Sequence, residues 1–130
     1  MNLQECKSGP KAGRKSVVPA IGINNFGVFC FNKAAMRLLG IAGGERVKIF
    51  KDIDEPENWY IEIVATGGFR VQKRPESRLF PRFNAAEVAN EIFDTVGFEG
   101  KYGRIIIAGQ PTLIGKRKLY GLIISRLKSI

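Results

Sequence analysis

The chain reads as a β-rich α+β fold on three observations. Short alternating apolar runs outnumber helical ones, Asn- and Gly-rich turns separate those runs, and only two segments carry the helical period. It has 130 residues, 45% hydrophobic and 25% charged, the composition of one soluble domain with a sizeable core. That domain is placed at residues 17–130, after a Lys-, Gly- and Ser-rich stretch, 1–16, that shows no hydrophobic period and reads as a flexible basic arm.

Ala20 to Phe31 alternates and is broken by Asn24-Asn25-Phe26-Gly27, turn chemistry that predicts a hairpin. Asn32 is expected to cap a short helix, Lys33–Leu39, with Ala35, Leu38 and Leu39 on one face and Gly40 as its stop. Arg46–Lys51 alternates again, Val47 and Ile49 facing one way and the basic residues the other. The acidic loop Asp52–Asn58 reads as a solvated connector, and Trp59–Val64 as the returning strand.

The second half is expected to repeat this plan. Phe83-Asn84-Ala85-Ala86 echoes Phe31-Asn32-Lys33-Ala34-Ala35 at an offset of 52 residues. Candidate strands Gly68–Arg74 and Arg78–Arg82 flank Pro75-Glu76-Ser77, and Asn84 with Glu87 reads as a capping box. The helix after it has an apolar face of Ala85, Val88, Ala89, Ile92, Phe93 and Val96, with Gly97 and Gly100 as stops. Strands are then expected at Arg104–Ala108 and Leu119–Ile124. Two strand-strand-helix-strand-strand units, 20–64 and 68–124, are the result.

The charge excess of +9 is uneven. Residues 1–18 carry a net +3 and residues 101–130 a net +7 with no acid, while 19–100 holds ten basic and eleven acidic residues. Basic ends of this kind suit a polyanionic partner. The chain contains no histidine, which removes the commonest general base and metal ligand and argues against most hydrolase mechanisms. Cys6 and Cys30 have neither metal-ligand nor disulfide-framework spacing, and Cys30, with no basic neighbour before Lys33, reads as an inert strand thiol. No cofactor, metal or catalytic centre is expected. Apolar runs are too short to span a bilayer, and Met1–Lys7 lacks the apolar run of a secretory signal, so a cytoplasmic protein without membrane contact is the expectation.

Gly109–Lys116 is superficially like a phosphate-binding loop, but five residues separate its glycines and Arg117 follows the lysine. The convergence of donors that such a loop requires is absent. A hairpin loop carrying Lys116, Arg117 and Lys118 is the better reading, and that cluster is the first candidate for phosphate contact. Lys11, Arg14 and Lys15 on the arm, and Arg46 and Lys48 on their strand, are the further candidates. Phe26, Trp59, Tyr60, Phe69 and Tyr102 stand beside turns or strand ends, where an exposed ring would stack on an unpaired base.

Four features, taken together, resemble the AbrB-like (SpoVT/AbrB) swapped-hairpin DNA-binding family: Gly27 after a first strand, the strand Val28–Phe31, the helix ending Leu38-Leu39-Gly40-Ile41, and Gly43-Gly44-Glu45-Arg46-Val47-Lys48-Ile49. The likeness covers residues 21–64. It departs from the family where Asn32 and Lys33 replace a proline at the helix start, and where Asn24, Asn25 and Phe26 replace basic residues around the first turn. The resemblance implies a DNA-binding regulator. If the second half is a divergent copy, it also implies one swapped-hairpin-like barrel closed within a single chain, as a monomer with internal pseudo-symmetry; a homodimer is the other arrangement. Duplex DNA is the favoured partner, with single-stranded DNA or RNA, and a protein-interaction or structural module, as alternatives.

Overall fold

The computed structural model describes residues 18–73 and 80–129. The basic segment with Lys11, Arg14 and Lys15, and the Pro75-Glu76-Ser77 turn, lie outside the described residues.

The first hairpin forms where the sequence alternates: β1 (Ala20–Asn24) and β2 (Val28–Phe31) pair antiparallel. The Asn24 carboxamide closes their turn, accepting from the Phe26 and Val28 backbone N–H groups at 2.9 and 3.0 Å. Helix α1 (Lys33–Leu39) starts at Asn32, whose Oδ1 accepts from Ala35 N at 2.8 Å, and stops at Gly40 in the left-handed region, φ 72°. Strands β3 (Arg46–Lys51) and β4 (Trp59–Val64) pair along their whole length.

The remaining elements are β5 (Phe69–Arg70), β6 (Arg82–Asn84), α2 (Ala86–Val96), β7 (Tyr102–Ile107), β8 (Thr112–Ile114) and β9 (Arg117–Ser129). The sheet runs β5-β3-β4-β9-β7-β1-β2-β6, with β8 pairing only with β9. Its two edges meet through an antiparallel bridge, Gln72 N to Arg82 O at 2.7 Å and the reverse at 3.0 Å. The result is a strand-rich, nearly closed antiparallel barrel with two helices among the described residues.

Inward-facing positions fill the barrel with Ile21, Ile23, Phe29, Phe31, Val47, Ile61, Phe83, Ile105 and Ile107, all buried. The Phe29 and Phe83 rings stack at 4.7 Å, and Phe69 lies 5.5 Å from Phe83. Helix α1 buries Ala35 and Leu39, while α2 buries Ala89, Ile92 and Phe93. Among the described residues no helix is long and apolar enough to cross a membrane.

Four expectations for the second half are corrected. Asn84 is not a helix cap: it is the last residue of β6, paired with Val28, and α2 begins after Ala85 with no side-chain cap. Ala85 N donates to Gly27 O at 2.8 Å, so ladder pairing carries the chain one residue past the asparagine before the helix starts. Among the described residues the strand expected at Gly68–Arg74 is Phe69–Arg70 plus the Gln72 bridge, and of that expected at Arg78–Arg82 only Arg82 is strand, as the first residue of β6; Arg74, Arg78 and Leu79 lie outside the described residues. Strand β7 begins at Tyr102, two residues before the expected Arg104, because its pairing with β1 extends to Asn24.

Candidate nucleic-acid interface

Alternation along β3 sends Val47 and Ile49 into the core and leaves Arg46, Lys48 and Phe50 on the outer face. On β4 the same rule places Tyr60, Glu62 and Val64 outside, and on β9 Arg117, Leu119 and Gly121. The register then sets Arg70 of β5 directly opposite Arg46, and Lys48 directly opposite Glu62. A stripe of three cations, Arg70, Arg46 and Lys48, results from the β3–β5 pairing and the alternation along β3.

A tight turn makes this possible. Gly68 has φ 66°, and a Cβ on it would lie 2.1 Å from the Val47 carbonyl oxygen. Only glycine allows the chain to fold back this closely onto β3 and bring Arg70 beside Arg46. Arg46 is steadied from the same turn, donating through Nη1 to Gly67 O at 3.3 Å.

Glu62 is the one acid on this outer face among the described residues, and at 8% exposure it is buried. Arg117 covers it with a two-pronged fork, Nε to Oε2 at 3.0 Å and Nη2 to Oε1 at 2.9 Å. These hydrogen bonds hold the Glu62 carboxyl below its ordinary pKa; burial opposes them, and the charges of Arg117 and Lys48 assist. The same fork raises the Arg117 guanidinium above its ordinary value. Arg117 also lies over the Phe50 ring, 5.3 Å from its centroid.

The cluster Lys116-Arg117-Lys118 is therefore divided. Lys116 sits in the Gly115-Lys116 turn of the β8–β9 hairpin, Lys118 is paired with Leu113, and both are exposed. With Arg37 at the end of α1 they line a groove of about 490 Å³ between helix and hairpin. Arg117, expected to reach a phosphate, has two of its N–H donors turned to Glu62. Sequence reasoning missed Arg70, Arg37, Phe50 and Glu62. Glu62 had a signal, as the sole acid on the polar parity of its strand, whereas Arg70 had none without the register.

Of the five rings considered as stacking candidates, Phe26 is 79% exposed and Tyr102 is exposed beside Lys101 and Arg104. Tyr60 and Phe69 are half-buried and Trp59 is a core residue. Cys30 is half-buried and faces Arg82 across β2 and β6. Burial outweighs the arginine and pushes the thiol pKa up, in keeping with an inert strand thiol. The acidic loop closes on itself, Asp52 Oδ1 accepting from Asp54 N at 2.9 Å and Glu55 Oε1 from Asn58 Nδ2 at 3.1 Å. Among the described residues no group of acids and cysteines is arranged to hold a metal ion. Comparisons with family models, with curated proteins and with solved structures find no match.

Proposed function

We propose that this chain is a non-enzymatic nucleic-acid-binding protein, a DNA-binding regulator of AbrB-like type, that grips phosphates with the outer face of β5, β3, β4 and β9. The observation that carries the reading is the stripe Arg70-Arg46-Lys48, two of whose members oppose each other with like charge. Such a pair destabilises an isolated sheet. An anionic backbone laid along the stripe removes that cost, and successive phosphates match cations spaced along and across strands. Lys116, Lys118 and Arg37 extend the grip around the hairpin.

The AbrB-like part of the reading draws support from strand order. Exchanging β1, β2, β3 and β4 for β5, β6, β7 and β9 leaves the order around the ring unchanged, once the Gln72–Arg82 bridge closes it. Across the halves β1 lies beside β7, β3 beside β5, β2 beside β6 and β4 beside β9. Each half's first hairpin thus packs among the strands of the other, the arrangement that two swapped units fused in one chain would adopt. A second reading, single-stranded DNA or RNA, is favoured by the aromatic ring of Phe50 beneath Arg117 on the same face.

The test is a salt titration of binding to duplex DNA, single-stranded DNA, RNA and heparin. The proposal expects a nucleic acid to bind more tightly than heparin at equal salt, with affinity falling linearly in log–log form. Heparin binding equal to every nucleic acid, or no nucleic-acid binding at low salt, would overturn it.

A further inference from the structure

We propose that Arg117, clamped by Glu62 and laid over Phe50, is a stacking plate for one unpaired base, so that the strand held by the cationic stripe is single-stranded where it crosses β9. This rests on the second, single-stranded reading of the proposed nucleic-acid binding and deepens it.

The fork holds the plane of the guanidinium and leaves it a face to offer as well as an edge. Phosphate recognition by arginine uses in-plane N–H donors, often two in parallel. Here Nε and Nη2 both point at Glu62, at 3.0 and 2.9 Å. Two of its five N–H groups are used in this fork, and beside the remaining three the side chain offers its flat surface. The guanidinium carbon lies over the Phe50 ring, 5.3 Å from its centroid, and the side chain remains 49% exposed. The clamp fixes the plane, so a base stacking on it loses little to ordering of the protein.

On the same outer face Phe50 pairs with the half-buried Tyr60, and Tyr60 pairs with Gly121, which has no side chain. Lys48, two residues from Phe50 and opposite Glu62, stands where the flanking phosphate would run. Guanidinium and aromatic planes of this kind stack on bases splayed out of single strands, whereas the bases of a duplex are already stacked on each other.

Arg117→Lys keeps the charge but loses the plane and the fork. Binding of single-stranded DNA and RNA oligonucleotides carrying 2-aminopurine, and of a duplex of the same sequence, is measured by fluorescence at fixed salt and across a salt series. The expected result is a loss of roughly 5- to 150-fold in single-strand affinity, as for one base–aromatic stack, with loss of 2-aminopurine quenching, an unchanged salt slope and unchanged duplex affinity. The DNA and RNA arms identify which strand is preferred. Phe50→Leu, which leaves the fork in place, is expected to lower single-strand affinity and quenching in the same direction, and it carries the test if the lysine variant fails to fold. Unaltered single-strand binding and quenching, or a lower salt slope with quenching intact, would overturn the stacking role while leaving the cationic grip standing. A wild-type protein that binds no nucleic acid would overturn the underlying reading as well.

Discussion

Arg46 and Arg70 stand directly opposite each other on β3 and β5, two guanidinium groups at paired positions of an antiparallel ladder. Cross-strand neighbours at such positions interact by roughly 0.2–1 kcal/mol, unfavourably when the charges match. A stable barrel alone gives no reason to retain the pair, and a polyanionic partner does.

Replacing Arg70 with Glu converts repulsion into attraction. Thermal unfolding should shift upward by about 2 °C, corresponding to about 0.5 kcal/mol, while nucleic-acid affinity falls. A variant that loses both stability and binding would show that Arg70 serves the fold. Calorimetry and a binding isotherm on the same preparation separate the two outcomes.

The fork between Arg117 and Glu62 links stability to pH. Because the folded carboxyl is held below the unfolded value of about 4.3, its stabilisation is fully present above that pH. It is lost as the pH falls through the lower folded value. Urea midpoints between pH 3 and 7 should therefore decline on the acid side, and Glu62→Gln should flatten the decline in part. The remainder belongs to Glu45, which burial pushes up but which backbone N–H groups of Gly43 and Ala42 hold below its ordinary value.

Asn32 and Asn84 look alike in sequence and differ in work. Asn32 Oδ1 accepts from both Ala35 N and Ala20 N, at 2.8 and 3.1 Å, and its Nδ2 donates to Val18 O at 2.9 Å. Asn32→Ala should cost about 1–2 kcal/mol in chemical denaturation. Asn84→Ala, at an exposed strand end, should stay within about 0.5 kcal/mol. Equal losses would restore a capping role to Asn84.

That contrast marks where the sequence was legible. Local signals sufficed wherever one element decides its own fate: the Asn24–Gly27 turn, the Asn32 cap, the Gly40 stop, and the alternation that buries Val47 and exposes Lys48. They failed where a distant strand intervenes. The Gly27 carbonyl takes the Ala85 N–H and draws the chain past Asn84, and nothing near residue 84 encodes that. The candidate site divides in the same way. Arg46 and Lys48 follow from alternation, but the opposition of Arg70 to Arg46 is a matter of register. The capture of Arg117 by Glu62 joins residues 55 apart in the chain.

Whether the stripe on β3 and β5 contacts phosphate is decided by the salt dependence of binding, measured for wild type and for an Arg46→Ala, Lys48→Ala, Arg70→Ala triple variant. The variant should bind every sequence more weakly, with a log–log slope reduced by about two to three, since each lost phosphate contact removes somewhat less than one, and with thermal stability undiminished. Isotherms and slopes that coincide for the two proteins would contradict the contact.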